Sequence, residues 1–458
     1  MSREKKLLKH TVIYAIGNFG SKALNILLLP FYTRVLTQAE YGSIDIVLIS
    51  LILLSPFVSV NMGEAVFRFS VDKKYNKEQV LNAGLIISIL GFFVTILTLP
   101  LVNLYFNNMH LLICFSVLLI AFVLQSILKQ YTRAIEKLNL YMISDFVQVI
   151  SFVGFIFVFV GEYDMGLLGF IYAKIISLFI DFLLLFIVST AYKSFRSGIN
   201  FTYGKEMMYF GIPLIPNSVM WWISNASDRY LLAAMVGMSS VGIYSVATKF
   251  PIILAQFSTV FFKSWQSSAI EQDAAKDSSE YHTKVFNGYA VILFLISSLI
   301  LICIKPLMLI LVADDFYIAW KYIPFLLLGA VFSALAGFLG INYNVAKKTK
   351  KALFSTIVAA VVNIILNIIL IPYYEVMGAS IATLVSFIIL LGIRMYETPQ
   401  YKDIKFNYSL LTCCSAIFLF QSVIMYYITS IEFQVILQLP ALMLSLYLFK
   451  KQILKSLN

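Results

Sequence analysis

The stretch GLLGFIYAKIISLFIDFLLLFIVS (166–189) decides how this chain is read. At 1.5 Å per residue it is long enough to cross a hydrocarbon layer of about 30 Å. It holds no proline, yet it carries Lys174 and Asp181, two helical turns apart, with Ser177 on the same side. A charge near the bilayer centre costs roughly 2.5–3.5 kcal/mol on insertion scales, so this face must look into protein or a wet cavity. Gly169, Ala173 and Ser177 add a stripe of small residues at four-residue spacing, which lets a neighbouring helix pack closely in lipid.

Similar apolar runs fill the chain. It is 60% hydrophobic and 12% charged, with mean hydropathy +0.89, far from the mix of a soluble domain. The runs predict an all-α polytopic membrane protein with about fourteen transmembrane helices. They lie at 11–33, 43–62, 80–104, 110–130, 141–160, 166–189, 208–232, 240–262, 285–304, 322–345, 352–371, 376–396, 409–428 and 433–449. The basic start (Arg3, Lys5, Lys6, Lys9) feeds a full-length run without a small-residue cleavage site, so the first helix is expected to stay as part of the protein.

The net charge of +11 follows topology rather than nucleic-acid binding. With the N-terminus placed in the cytoplasm, most of the 34 Lys and Arg fall in alternate, inward-facing connections such as 68–77, 129–137, 193–205 and 347–351. Arg34, Lys305 and Lys321 remain outside, and Lys22, Lys174, Arg229 and Lys249 lie within the runs. Both termini are therefore expected in the cytoplasm. Cys114, Cys303, Cys413 and Cys414 all fall in apolar runs and lack zinc-like spacing, so neither a disulfide framework nor a metal site is expected.

The chain also repeats itself. Aligning Asn25 with Asn225 brings Gly42 onto Gly242, and aligning Gly169 with Gly378 brings Ala173 onto Ala382 and Ser177 onto Ser386. The order predicts two pseudo-symmetric six-helix lobes, 1–190 and 207–397, joined by a polar cytoplasmic linker, 191–206. Two additional helices and a cytoplasmic tail occupy 398–458.

The segment from Pro30 to Gly42, with Thr37-Gln38-Ala39-Glu40-Tyr41-Gly42 at its end, resembles the first-helix exit of polysaccharide-biosynthesis flippases. Asp228-Arg229-Tyr230 followed by Val241-Gly242-Ile243-Tyr244 and Thr248-Lys249 resembles their second motif. These are the O-antigen and capsule repeat-unit flippases of the multidrug/oligosaccharidyl-lipid/polysaccharide exporter superfamily. The resemblance implies a V-shaped pair of lobes working by alternating access in the bacterial cytoplasmic (inner) membrane. It also implies a cargo, an undecaprenyl-pyrophosphate-linked oligosaccharide moved from the inner to the outer leaflet. A polysaccharide polymerase and chain-length machinery are the implied protein partners.

The residues themselves point to an anionic cargo. Asn18, Lys22 and Asn25 share one helical face, as do Ser218, Trp222, Asn225 and Arg229. With Lys174 and Lys249 these stripes would give a cationic lining, in which ammonium and guanidinium donors replace the hydration a pyrophosphate loses. Several positions carry two readings. Lys174 with Asp181 is either lining or a packing network; Arg229 beside Asp228 is either a contact or a local ion pair; Arg34 is either a contact or a solvated anchor. Trp222 is either a sugar-stacking platform or a packing residue. No nucleotide-binding loop is present, since Gly198 to Gly204-Lys205-Glu206 has the wrong spacing. With no cofactor expected, coupling to a proton or sodium gradient or the membrane potential falls to Asp45, Asp145, Asp181 or Asp228. Pro213, Pro216 and Pro251 are the expected bending points.

Three competing functions stand beside the repeat-unit flippase. A peptidoglycan lipid-precursor flippase shares the cargo logic. A cation-coupled multidrug antiporter on the same scaffold would favour an acidic lining. A polymerase or ligase would need a sizeable outer catalytic loop, and the longest outer connection here is roughly 305–321. No catalytic residue is expected.

Overall fold

The computed structural model describes residues 27–457 apart from 107, 199, 272–277, 346–348, 401–403 and 429. Helices run throughout, with no strand among the described residues. The chain divides into two compact units, one ending at Ala226 and the other beginning at Ser227.

The first unit contains α1 (Leu29–Val35), α2 (Gln38–Ser59), α3 (Met62–Val71), α4 (Lys77–Phe106), α5 (Met109–Ala134), α6 (Leu138–Ile156), α7 (Gly166–Val188) and α8 (Phe201–Gly211). It also holds the start of α9 (Leu214–Met235), within which the division falls. The motif at 37–42 is a helix start. Thr37 caps α2, its hydroxyl accepting the Glu40 N–H at 3.2 Å while the Glu40 carboxylate accepts the Thr37 N–H at 3.0 Å. This reciprocal pair satisfies two orphan donors of the first turn.

α2 ends where Val60 and Asn61 both adopt left-handed backbone (φ 51 and 53), which leaves its last carbonyls without helical partners. Two glycines receive them. A Cβ on Gly91 would stand 2.1 Å from the Val58 oxygen, and one on Gly211 would stand 2.0 Å from the Val60 oxygen. Met62, Val66, Leu81, Leu118, Ile127 and Leu185 form the fully buried centre of this unit.

The expected linker is fastened to α4. After a short 3-10 turn (Ala191–Arg196), Gln79 Nε2 donates to the Ser197 carbonyl at 3.1 Å and Asn82 Nδ2 to the Gly198 carbonyl at 2.9 Å. Asn200 then caps α8, accepting the Thr202 and Tyr203 amides.

The second unit continues with α10 (Met238–Ala247), α11 (Pro251–Glu271), α12 (Ser278–Leu311), α13 (Ile323–Val345), α14 (Thr349–Glu397), α15 (Tyr408–Tyr427) and α16 (Ile431–Leu457). α10 and α11 bend by 49° across Thr248-Lys249-Phe250, where Pro251 opens the second helix. α14 breaks at Glu375 (φ 49, ψ −125). A Cβ on Gly378 would lie 2.6 Å from the Leu370 carbonyl, so the chain has turned back on itself there. Gly169 lies in the same situation in the first unit: its Cβ would meet the Phe159 oxygen at 3.0 Å, across the turn between α6 and α7. The aligned glycines of the sequence repeat thus each sit where a helical hairpin closes.

Ten helices among the described residues are long and apolar enough to cross a membrane, or eleven with the bent pair counted as one span. The expected count of about fourteen is not reached, for three reasons. Most of the run 11–33 lies outside the described residues. α14 merges the runs 352–371 and 376–396 into one element of 49 residues. α9 is long enough, but Ser218, Asn225, Asp228 and Arg229 dilute its apolar character.

Candidate functional site

Each unit carries a polar cluster built by its own helices. In the first, the Gln125 amide (α5) donates to Asp181 Oδ2 (α7), and Asp181 is fully buried. Its other oxygen, Oδ1, has no hydrogen-bond partner within bonding distance among the described residues, and Ser144 faces the same carboxylate. Lys129 (α5) is paired with Asp145 (α6), their side chains 16% and 15% exposed. Lys174 (α7) stands 4.9 Å from the centre of the Phe152 ring, a cation–π contact. The sequence leaves Lys174 and Asp181 as a potential structural pair; in the fold Asp181 is bonded to Gln125 and Lys174 faces an aromatic ring. Lys129 escapes sequence reading because it ends an apolar run and counts as a loop cation, yet it lies inside α5.

The Lys129–Asp145 pair makes a direct prediction. Removing one partner of this partly buried ion pair strands the other charge, at a cost that partial solvation keeps below the roughly 3–5 kcal/mol of a fully buried pair, whereas removing both is nearly neutral. Lys129→Met is therefore expected to lower thermal stability in detergent markedly, and the further change Asp145→Leu is expected to restore most of the loss. Equal melting of Lys129→Met and the parent would rule this out.

Other expected positions spread along this unit. Asp45 is buried in α2, and Arg34 is exposed in the last turn of α1. The Trp222 indole N–H donates to the Ile49 carbonyl at 2.9 Å, so its polar edge ties α9 to α2. Asn225 lies three residues further along α9. Asn18, Lys22 and Asn25 lie outside the described residues.

The second unit gathers its cluster around Asp228, which is 6% exposed. Its Oδ2 accepts the Tyr244 hydroxyl at 2.7 Å and the Thr383 hydroxyl at 2.8 Å; its Oδ1 accepts Asn367 Nδ2 at 2.8 Å. Asn367 Nδ2 also donates to Asn363 Oδ1 at 3.0 Å, and the Asn367 oxygen is buried without a hydrogen-bond partner among the described residues. Four helical segments (α9, α10 and the two arms of α14) thus meet at one carboxylate. Arg229, the next residue, turns to the other side of this knot. Its Nη2 donates to the Thr248 hydroxyl at 3.3 Å, and its guanidinium carbon stands 5.6 Å from the Tyr244 ring centre. Lys249 is half-buried in the bend one residue beyond Thr248. The resemblance at 228–249 therefore has a physical basis: Asp228 and Tyr244 bond each other, and Arg229 and Thr248 do the same. Tyr244 enters the sequence reading only as part of the motif 241–244, and Asn363, Asn367 and Thr383 are absent from it. Only the helical spacing of Asn363 and Asn367 within an apolar run signalled them.

Two cations assigned to connections are instead buried. Arg394 is 8% exposed within α14, donating to the Ala336 carbonyl at 2.7 Å and to Ser355 and Thr356 hydroxyls at 3.2 and 3.0 Å. Gly340 makes room for it, since a Cβ there would lie 2.7 Å from Arg394 Nη1. Lys305 belongs to α12, is 5% exposed, and donates to the Ile428 carbonyl at the end of α15 at 2.8 Å. Cations at helix C-termini complement both the free carbonyls and the dipole.

Comparison with known proteins places this arrangement. The probable low-salt glycan biosynthesis flippase Agl15 of Haloferax volcanii is 22% identical over 220 residues, 47% of this chain and 46% of its own length. The chain thus matches about half the length of that curated relative. In fold it is similar to the lipid II flippase MurJ in an inward closed conformation, with a TM-score of 0.75 at 16% identity over 97% of this chain and 99% of the other. An inward-facing multidrug resistance MATE family transporter of the MOP superfamily gives 0.64 at 15% identity, covering 83% and 95%. The two solved structures share the many-helix fold of this chain. Residues 7–265, more than half of the sequence, match the family described as polysaccharide biosynthesis protein, and the chain belongs to that family.

Proposed function

We propose that this protein flips an undecaprenyl-pyrophosphate-linked oligosaccharide repeat unit from the inner to the outer leaflet of a bacterial cytoplasmic membrane. Lobes 1–190 and 207–397 would alternate in opening, and both termini would lie in the cytoplasm. The observation that carries the reading is the pairing of Arg229 and Lys249 with a helix bend. Arg229 is anchored through Thr248, and Lys249 is the half-buried cation at the 49° turn before Pro251. A cation at a flexing point meets the anionic head in one arrangement and releases it in another. Lys22, in the first apolar run, is the second cation of the proposal.

Lys249→Ala and Lys22→Ala are each expected to reduce delivery of the lipid-linked repeat unit at least tenfold with expression unchanged, about the effect of losing one charge-assisted hydrogen bond. Lys→Arg at either position is expected to do less harm. Full transport by both alanine variants would exclude the cationic path. Equal harm from alanine and arginine would assign both side chains to packing. A repeat unit accumulating on the cytoplasmic side while peptidoglycan synthesis continues would separate this cargo from a cell-wall precursor.

Asp228 is the coupling carboxylate of this proposal. Around it stand two hydroxyls that can donate or accept (Tyr244, Thr383), the Asn367 amide N–H, and the side-chain oxygens of Asn363 and Asn367, and these oxygens suit a proton or a hard cation such as sodium. Asp145 is neutralised by Lys129, and Asp181 is held by Gln125.

A further inference from the structure

A cavity of about 470 Å³ opens in the first unit between the turn that follows α3 and the turn joining α5 to α6. Lys73, Lys77, Arg133 and Glu136 supply its polar wall; Phe67 and Val71 are prominent in its apolar wall. Its depth in the membrane follows from the helices around it. α4 begins at Lys77, α5 ends at Ala134 and α6 begins at Leu138, and all three are long and apolar enough to cross a bilayer. The cavity therefore lies where they leave the hydrocarbon layer, at the level of lipid headgroups.

The charge there is uneven and partly pre-arranged. Three cations face one carboxylate. The Arg133 guanidinium is stacked 4.3 Å from the Phe67 ring centre and donates to Gln130 Oε1 at 3.5 Å, which fixes its plane. The backbone wall is held by Glu136 N–H to the Arg133 carbonyl at 3.1 Å and Lys137 N–H to the Thr132 carbonyl at 3.2 Å, with Glu136 itself left-handed (φ 61). Neighbouring cations are occupied elsewhere: Arg68 with Asp72 at 3.9 Å, Lys74 over the Tyr75 ring at 5.4 Å, and Lys137 on the Val188 and Ser189 carbonyls.

We infer that this cavity binds the anionic phosphate headgroup of a membrane phospholipid. Lysine and arginine donors on one side suit a phosphate. The Phe67 and Val71 side suits the glycerol and upper acyl carbons, which a soluble anion would leave uncovered. Basic pockets between helices at the bilayer surface take lipid headgroups by this combination. The inference does not depend on the flippase reading, because its ligand is a bulk lipid and none of its residues belongs to the Asp228 cluster.

The test uses the full chain in phosphatidylcholine nanodiscs, with phosphatidylglycerol titrated in and retained lipid counted by native mass spectrometry. Each surface cation contributes roughly a fivefold preference for anionic lipid, so K73Q/K77Q/R133Q is expected to weaken phosphatidylglycerol retention about a hundredfold. K73Q/K77Q is expected to weaken it about twenty-five-fold, and those two exposed lysines can be changed without touching the Arg133–Phe67 stack, which guards against misfolding of the triple variant. Phosphatidylcholine retention should be unchanged in both. Parent-like phosphatidylglycerol retention in the double variant would overturn the inference. So would inorganic phosphate binding the parent chain as tightly as the lipid, which would assign the cavity to a soluble anion.

Discussion

Asp228→Ala is expected to abolish transport and to destabilise the chain by about 2–5 kcal/mol, whereas Asp228→Asn is expected to leave the fold intact and remove the response to an ion gradient. The two substitutions separate because of what surrounds the carboxylate. Alanine leaves the Tyr244 and Thr383 hydroxyls and Asn367 Nδ2 pointing at an apolar methyl group, deep in the protein where water cannot replace the lost acceptor. Interhelical bonds of this kind contribute about 0.6–2 kcal/mol each in membranes. Asparagine keeps an oxygen for Asn367. Its own amide then donates to Tyr244 or Thr383, because a hydroxyl accepts as readily as it donates. Packing survives, and only the titratable charge is gone. Thermal unfolding in detergent and ion-dependent transport in vesicles read the two effects. An asparagine variant with parent-like ion dependence would remove Asp228 from coupling; an alanine variant with parent-like melting would remove it from the fold.

How far these features could be read from sequence differs by their physical origin. Long apolar runs report a local property, so the helices and most of their limits are legible. The glycine repeat was legible as well, and the fold supplies its reason: Gly169 and Gly378 each close a hairpin against a preceding backbone carbonyl. The capping box at Thr37 and Glu40 was present as a spacing, Ser/Thr three residues before Glu, inside a segment read for its family resemblance.

What was not legible depends on contacts distant in sequence. Asp228 is bonded by Asn367 and Thr383, more than a hundred residues away, and nothing local marks them as its partners. The same limit hid the burial of Arg394 and Lys305. Each lies near the end of an apolar run, where a cation usually reaches water; here a neighbouring helix offers carbonyls or hydroxyls instead. Trp222 is a further case: the sequence gives an aromatic residue on a polar stripe, and only the fold shows that its N–H is bonded to the Ile49 carbonyl.

Gly211→Ala and Gly91→Ala are expected to be among the most destabilising methyl additions in the protein, about 3 kcal/mol or more each, with loss of folded material on purification. The cause is the break after α2. Two consecutive left-handed residues, Val60 and Asn61, interrupt the helix and leave carbonyls projecting from its end. The Val60 carbonyl is seated on Gly211, where Asn61 Nδ2 also reaches the Gly211 carbonyl at 3.4 Å; the Val58 carbonyl is seated on Gly91. New methyl groups at 2.0 and 2.1 Å from those oxygens have no rotamer to escape into, since the obstacle is backbone on both sides. Helix α2 would have to move away from α4 and α8 together. The contrast set is Gly154, Gly288 and Gly392, where an added Cβ meets nothing within 4 Å. There the higher helix propensity of alanine acts alone, and each change is expected to stabilise by up to about 1 kcal/mol. If all five variants melt alike, the seating of the α2 carbonyls contributes nothing to the fold. If only Gly91 and Gly211 fail, the break at Val60–Asn61 is a fixed joint of the first unit and not a point of free bending.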